Sequence, residues 1–231
     1  MEDTIVWDKS RVEQFNRIQP GRSGELPFEF RLVDDLQNAF VDLSVVMTAK
    51  SQDVGVPLVG EARRTVQLVS PVKFTAISLH AGGPLNNTGP FPPMVEEATT
   101  YTITWSITNP SNDLSGVRVS AALPDYVSWS DVVSPPAANI AFNPVGREVL
   151  WSPDVVLAGA GFSRAPEEVS FQVVLRPSVS QVGTAPVLVG DALLEGVDTF
   201  TNTPVRVSAS EVNTAVSNDP GFQIGQSKVT N

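Results

Sequence analysis

Residues 99–110 read TTYTITWSITNP, and this stretch decides the fold. Within it the apolar side chains fall on odd-numbered positions: Tyr101, Ile103, Trp105 and Ile107. The even-numbered positions between them carry uncharged hydroxyl groups. A side-chain period of two predicts a β-strand with one buried face and one solvated face. Asn109-Pro110 is expected to end the strand, because proline lacks the backbone donor that a sheet requires.

The same alternation recurs along the chain. It predicts further strands at residues 4–7, 28–32, 43–47, 65–69, 72–79, 114–121, 126–129, 140–142, 149–151, 169–175, 186–190 and 204–212. Residues 56–60 read as an irregular strand or a turn, and residues 81–93 as a long Gly-, Pro- and Asn-rich loop. Nineteen prolines and sixteen glycines suit many turns between short strands. The predicted fold class is all-β, an antiparallel sandwich with immunoglobulin-like packing.

Composition restricts the partners. The 231 residues carry a net charge of −10, which argues against nucleic acid and anionic membrane surfaces as partners. The chain has no cysteine, so disulfides, thiolate metal sites and cysteine nucleophiles are excluded. No apolar run approaches the length of a membrane span, and any membrane attachment is expected through an anchor outside this chain.

An internal repeat is the most informative feature beyond the alternation. The segment ending in Trp7 matches the segment ending in Trp151, 144 positions later, and Phe28–Leu32 matches Phe171–Leu175, 143 positions later. The repeat predicts that residues 1–71 are the C-terminal part of one sandwich module and residues 72–215 a complete sister module. Residues 216–231 are expected to be a polar tail that frays. Uncovered strands in the first part suggest strand-swapped self-association.

The stretch at 101–113, the Val117–Pro124 segment and the strands at 149–151 and 169–175 resemble repeated β-sandwich domains of large bacterial and archaeal surface proteins. The resemblance is nearest to predicted surface proteins of candidate-phyla bacteria. It covers residues 74–215 well and residues 4–70 in part. It implies an extracellular or cell-surface location and a structural role, and it carries no active-site residues.

Few residues could support chemistry. His80 is the only histidine, and no nucleophile-elbow motif accompanies it, so we expect it to be exposed or locally hydrogen-bonded. Carboxylates and amides are closely spaced in three places: Asp34-Asp35, Asn112-Asp113, and Asp191 with Glu195 and Asp198. Calcium is the alternative to solvated loop charges there. A glycosidase-like carboxylate pair is a weaker alternative. We therefore predict no catalytic, cofactor-binding or metal residues.

The four tryptophans test the binding hypothesis. Trp7, Trp105, Trp129 and Trp151 share parity with aliphatic neighbours, which favours the core over an exposed carbohydrate platform. Asn86-Asn87-Thr88 matches the N-glycosylation pattern. The predicted function is a non-enzymatic stalk, spacer or adhesive scaffold. The alternative is a module that binds a glycan or a protein partner through loops at one end of the sandwich, with an exposed patch near residues 81–93 as its mark.

Overall fold

The structure, a computed structural model, describes residues 4–19, 21–30, 39–51, 55–220, 222–223 and 225–231. It contains thirteen strands and two 3₁₀ turns. The turns are Glu13–Asn16 and Val179–Gln181. The strands are β1 Phe40–Lys50, β2 Pro57–Gln67, β3 Lys73–Leu79, β4 Thr99–Thr108, β5 Leu114–Ala122, β6 Val127–Ser134, β7 Ile140–Asn143, β8 Glu148–Val156, β9 Glu167–Leu175, β10 Val187–Val189, β11 Ala192–Asp198, β12 Thr203–Ala209 and β13 Val212–Asn213. No helix in the described residues is long and apolar enough to cross a membrane.

The strands form an antiparallel all-β fold, as predicted. A four-stranded sheet has the order β3-β4-β9-β6, and a five-stranded sheet has the order β12-β11-β5-β8-β7. Two short strands, β10 and β13, pair separately, as do β1 and β2. The two larger sheets face each other across one core, since Trp105 of β4 lies 6.5 Å from Trp151 of β8, ring centre to ring centre.

Strand β4 supplies the centre of this core. The side chains of Tyr101, Ile103, Trp105 and Ile107 are fully buried. The strand lies between β3 and β9, so backbone partners are available on both sides. Trp105 also meets Phe171 of β9 edge-on, with ring centres 4.9 Å apart. Aromatic pairs of this geometry add to the stabilisation that burial gives.

The chain forms two compact units, Met1–Asp34 and Asp35–Asn231. In the first, Trp7 packs edge-on against Phe28, with ring centres 5.9 Å apart. The strand predicted at residues 4–7 is wrong, because this segment has no strand pairing and only a 3₁₀ turn follows it. Residues 28–30 are also not a strand, and residues 31–32 lie outside the described part of the chain. Alternation alone does not make a strand where no neighbouring strand accepts its backbone hydrogen bonds.

The second unit departs from the predictions in three places. The segments predicted separately at 56–60 and 65–69 belong largely to one strand, β2, which pairs with β1 over eleven positions. Strand β11 was not predicted; its inward side chains end in the polar Asp198, which obscures the alternation. The described residues of the tail include two buried side chains, those of Val216 and Val229, where a fraying polar tail was expected. The predicted domain boundaries at 71/72 and 215/216 stay predictions.

Candidate functional site

The two ends of the sandwich hold its most connected polar groups. The Asp198 end is where β4 and β11 finish and β3 starts, and the Asp219 end is where β4 starts and β9 finishes. Ser70, just before β3, lies at the Asp198 end. The ten residues of β4 separate the two ends by about 30 Å.

Asp198 organises the first end. It is the last residue of β11 and points inward, and its carboxylate accepts hydrogen bonds from the backbone N–H of Ser70 at 2.9 Å and from the side chain of Asn112 at 2.8 Å. The backbone N–H groups of Phe200 and Thr201 donate to its other oxygen. Burial by itself would raise the pKa of Asp198, but these hydrogen bonds outweigh it and lower the pKa below its usual value. Asp198 is therefore charged at neutral pH.

Asn109 completes the Asp198 end. Its side chain donates to the backbone oxygens of Asn112 at 2.7 Å and Val156 at 3.1 Å, and it accepts a hydrogen bond from the hydroxyl of Ser70. The predicted strand end at Asn109-Pro110 is confirmed, and Asn109 is fully buried there. Asp198 and Asn109 together tie the segment entering β3 to the ends of β4, β8 and β11.

Asp219 organises the other end. Its carboxylate accepts hydrogen bonds from three consecutive backbone N–H groups, those of His80 at 2.7 Å, Ala81 at 2.6 Å and Gly82. Thr230 continues the attachment. Its N–H donates to Pro93 O at 2.8 Å, and its oxygen accepts from the N–H of Val95. The C-terminal segment 214–231 thus docks onto the loops that precede β4.

His80 packs against aromatic rings and is hydrogen-bonded locally. Its ring stacks on Phe91 with centres 4.5 Å apart, and its Nδ1 lies 3.1 Å from the backbone oxygen of Thr100, to which it donates as the Nδ1–H tautomer. No group of three or more His, Cys, Asp or Glu side chains in the described residues could hold a metal ion.

The carboxylate groupings predicted from spacing do not come together. Asp198 points into the sandwich, Glu195 points outward and pairs with Arg206 at 2.8 Å, and Asp191 accepts the N–H of Glu211. Asn112 belongs to the Asp198 network, whereas Asp113 accepts the N–H of Ala158. Asp34-Asp35 lies outside the described residues.

Two of the four tryptophans, Trp105 and Trp151, lie in the core as predicted, and the other two are half-buried. Trp105 and Trp151 are buried, and Trp129 stacks partly buried on Phe142. Trp7, in the first unit, is half-buried. None of these four presents a flat exposed platform of the kind that carbohydrate modules use.

The loop at 81–93 folds onto the four-stranded sheet. The amide of Asn87 donates to His80 O and to the hydroxyl of Thr102, both at 2.9 Å, and accepts from Gln172 at 3.0 Å. No large apolar side chain of residues 81–93 is among the exposed ones. The exposed apolar patch that would have favoured ligand binding by this loop is missing from it. Asn86, the acceptor of the glycosylation pattern, is exposed.

Two other surface features remain. A shallow depression of about 280 Å³ crosses β5, β11 and β12, lined by Gly116, Arg118, Glu195, Gly196, Val197, Pro204, Val205 and Arg206. At the Asp198 end, Phe162 stands 60% exposed on the tight turn 159–164. Gly159 and Gly161 predict a loop here, but sequence reasoning missed the exposed position of Phe162 and the roles of Asp198 and Asp219 as anchors. For the Asp219 anchor, the sequence offered one signal, an Asp-Pro pair at residues 219–220 within a tail that was expected to fray.

No protein-family profile matches this chain, and no curated protein sequence matches it. Among solved structures, it is similar to the full-length major pilin SpaD from Corynebacterium diphtheriae, with 16% identity, 61% of this chain and 34% of that chain covered, and a TM-score of 0.35. It is also similar to BcpA, the major pilin subunit of Bacillus cereus, with 8% identity, coverage of 73% and 47%, and a TM-score of 0.36. A putative membrane anchored protein from Corynebacterium diphtheriae gives 8% identity, coverage of 84% and 48%, and a TM-score of 0.34. The match spans less than half the length of each of these proteins.

Proposed function

We propose that this chain is a non-enzymatic structural module of a cell-surface protein, acting as a spacer, stalk or adhesive scaffold. The observation that carries the proposal is the path of the backbone. Ser70 enters the sandwich at the Asp198 end, and Thr230 is bound at the Asp219 end, the length of β4 away. A module crossed from end to end in this way adds its own length to a tandem array.

The anchoring of both ends supports the same role. A pull along the chain would act on Ser70 at one end and on residues 214–231 at the other. Ser70 is held through its N–H by the Asp198 carboxylate and through its hydroxyl by Asn109, and the C-terminal segment is held by the Asp219 carboxylate, which accepts three backbone N–H groups. Hydrogen bonds to a carboxylate are of the stronger, charge-assisted type. Because the pull runs along the strand axes, the hydrogen bonds of a ladder share the load. The net charge of −10 suits a solvated extracellular surface.

Single-molecule force spectroscopy tests the spacer. The full chain would be held by handles at its two termini and extended at constant speed. We expect one sharp force peak when the sandwich opens, preceded by low-force release of the segments before Ser70. Gradual extension with no peak would contradict a load-bearing role.

The location has its own test. Intact cells that produce the protein would be treated briefly with protease, and the released peptides identified. Peptides from the sandwich in the released fraction, with cytosolic marker proteins retained, are expected. Release of those peptides only after cell lysis would overturn the surface assignment while leaving the mechanical result intact.

A second candidate function rests on Phe162. This aromatic side chain stands exposed on a turn braced by the hydrogen bond from Asn109 N–H to Ala160 O at 2.8 Å. Rigid exposed aromatic residues are typical anchors of binding surfaces. A module that binds a glycan or a protein partner through the loops of the Asp198 end would use it.

A glycan array probed with the full chain separates the two functions. If binding occurs, Phe162→Ala should abolish it, whereas Val145→Ala should not, since Val145 is 95% exposed on the turn between β7 and β8 at the opposite end. Binding that survives Phe162→Ala would remove this turn from consideration. No binding to any glycan would favour the spacer alone or a protein ligand.

A further inference from the structure

The β1–β2 hairpin is a two-stranded ribbon with an open edge. In the described part of the chain, β1 and β2 pair with each other and with no other strand. Leu68 N–H donates a hydrogen bond to Ala39 O, directly opposite it in the register of β1 and β2. Because hydrogen-bonded pairs alternate along an antiparallel ladder, the odd-numbered residues of β1 are the ones that bond to β2. The N–H and C=O groups of the even-numbered residues, Asp42 to Lys50, therefore point outward along the free edge of β1.

One face of the ribbon is mostly apolar, with Arg64 as its charged residue. One face of β1 carries Val41, Leu43, Val45, Met47 and Ala49, and their partners on β2 include Val66, Ala62, Gly60 and Leu58. Val45 is 52% exposed and Met47 58% exposed, so this apolar face is largely uncovered. A lone two-stranded ribbon is at best marginally stable in water, and three or more strands are needed for independent stability.

The two edges of the ribbon are not equivalent. The β2 edge starts with Pro57 and carries Glu61 and Arg63 among its outward-pointing residues. Proline and charge are the devices by which proteins prevent edge-to-edge pairing. The β1 edge has neither between Leu43 and Ala49, a seven-residue run without charge, proline or glycine. The unprotected edge is therefore β1.

The sequence of β1 is complementary to itself. When two β1 strands run antiparallel with Val46 facing Val46, Ser44 faces Thr48 and Asp42 faces Lys50 of the second copy. These are all outward-pointing residues, so the required donors and acceptors meet. Asp42 and Lys50 are the two charged residues of β1, and this register pairs both of them with opposite charge, twice per dimer. The neighbouring registers pair neither.

We infer that two copies of this chain associate through their β1 edges, antiparallel, with the two-fold axis at Val46. The product is a four-stranded sheet, β2-β1-β1-β2, in which the apolar faces of the two ribbons become continuous. The interface is isologous, and it stops at the dimer because the protected β2 edges lie outermost. This inference goes beyond the proposed function, and its failure would leave the spacer proposal standing.

A matched pair of proline variants tests the edge. Val46 and Val59 are both exposed, at 63% and 67%, and both point their N–H groups away from the hairpin ladder, Val46 on β1 and Val59 on β2. The mass of the full chain would be measured by light scattering after gel filtration, from about 1 µM to 1 mM loading. We expect a concentration-dependent dimer, a dissociation constant raised at least about tenfold by Val46→Pro, and little change with Val59→Pro.

Charge exchange tests the register. Asp42→Lys and Lys50→Asp should each weaken the dimer, because like charges would then face each other, and the double variant should restore it. The native chain has no cysteine, so any disulfide would come from the introduced residue. Oxidised Val46→Cys should form a covalent dimer efficiently, whereas Val59→Cys should not, because Val59 lies on the outer β2 edge. Unchanged near-ultraviolet circular dichroism in each variant would show that the sandwich stays folded.

Three outcomes would overturn the inference. The first is a monomer at every concentration. The second is an equal loss of the dimer with Val46→Pro and Val59→Pro, which would move the contact away from the β1 edge. The third is a double charge variant no better than the single ones, which would exclude this register.

Discussion

Two hairpins in this chain share a pattern and differ in their surroundings. In β11–β12, seven paired positions place Ala192, Leu194 and Val205 against the core, where each is buried. In β1–β2, eleven paired positions place a similar row of apolar residues on one face, and the middle of that row is exposed. β11 also pairs with β5, whereas β1 pairs with β2 alone in the described residues.

This difference shows that alternation predicts a hairpin with one apolar face, but does not predict whether another layer of the protein buries that face. The hydrophobic gain of burying a face, about 25 cal/mol for each Å² of apolar surface, arises only when another layer removes that face from water. For β11–β12 the four-stranded sheet is that layer. For β1–β2 we propose that a second copy extends the ribbon instead.

The largest expected contrast between the two regions is in hydrogen exchange. At concentrations where the chain is monomeric, amides of the central strand β4 should exchange about a thousandfold or more slowly than hydrogen-bonded amides of β1, such as Val45 and Met47. Opening β4 requires opening the sandwich, whereas the hairpin can open by itself. Mass-spectrometric exchange with peptides from both strands would measure it. Equal protection in the two strands would mean that the hairpin is stable without a partner.

Removing one large core side chain is expected to have the next largest effect. Trp105→Ala should lower the free energy of unfolding by roughly 3–5 kcal/mol, because it leaves a cavity between the two sheets. Met47→Ala in the hairpin should change it by less than about 0.5 kcal/mol, since Met47 is already exposed. Urea unfolding followed by far-ultraviolet circular dichroism gives both values. A small loss for Trp105→Ala would contradict its place in the core.

Much of the sandwich could be predicted from sequence, and the reasons are specific. Strand β4 alternates strictly, and β9 and most of β5 nearly so, because one face of each strand packs into the core while the other carries mainly polar residues. The segment at 4–7 has the β-branched and aromatic residues typical of strands and is not a strand, because pairing depends on a partner elsewhere in the chain. The internal repeat rests partly on that segment, so duplication stays a prediction.

The anchors at the two ends were harder to predict. Asp198 lies on the inward side of β11, where sequence reasoning expects an apolar residue. Its role depends on the backbone N–H of Ser70, which is distant in sequence and near in space. Asp219 likewise acts through a loop at residues 80–82. Hydrogen bonds between a side chain and a distant backbone leave no periodic trace in a sequence.

The Asp198 network should make the free energy of unfolding of the sandwich sensitive to acid. The folded-state pKa of Asp198 is depressed below the unfolded value of about 3.9, so its contribution is fully present above that value and is lost as the pH falls through the folded pKa. Asp198→Asn should cost roughly 2–3 kcal/mol at pH 7. Its unfolding free energy should also fall less than that of the parent chain below about pH 4.

Urea unfolding at several pH values between about 3 and 7 would measure this effect. Asp42→Asn in the hairpin serves as the control. The Asp42 carboxylate accepts a hydrogen bond from the exposed hydroxyl of Thr65, so we expect this substitution to change the unfolding free energy at pH 7 only slightly. A parallel pH profile for Asp198→Asn and the parent chain would show that another carboxylate carries the acid sensitivity.

The smallest predicted effect compares two glycines, one in each region. A Cβ atom added at Gly82 would lie 2.8 Å from the Asp219 carboxylate and 2.8 Å from the ring of Pro220. One added at Gly60 of β2 would find only the end of the Met47 side chain, at 3.8 Å. Gly82→Ala must therefore push the C-terminal segment away from the loop, whereas Gly60→Ala meets ordinary contact.

We expect Gly82→Ala to lower the unfolding free energy by about 1–2 kcal/mol, within the usual range for overpacking. Limited proteolysis should then cut residues 214–231 faster than in the parent chain. Gly60→Ala should be neutral or stabilising by up to about 0.5 kcal/mol, because alanine restricts the unfolded chain more than glycine does. Faster cleavage of the C-terminal segment in both variants would mean that the Asp219 attachment is not what holds it. Faster cleavage in Gly82→Ala alone would tie the docking of that segment to the hydrogen bonds at His80, Ala81 and Gly82.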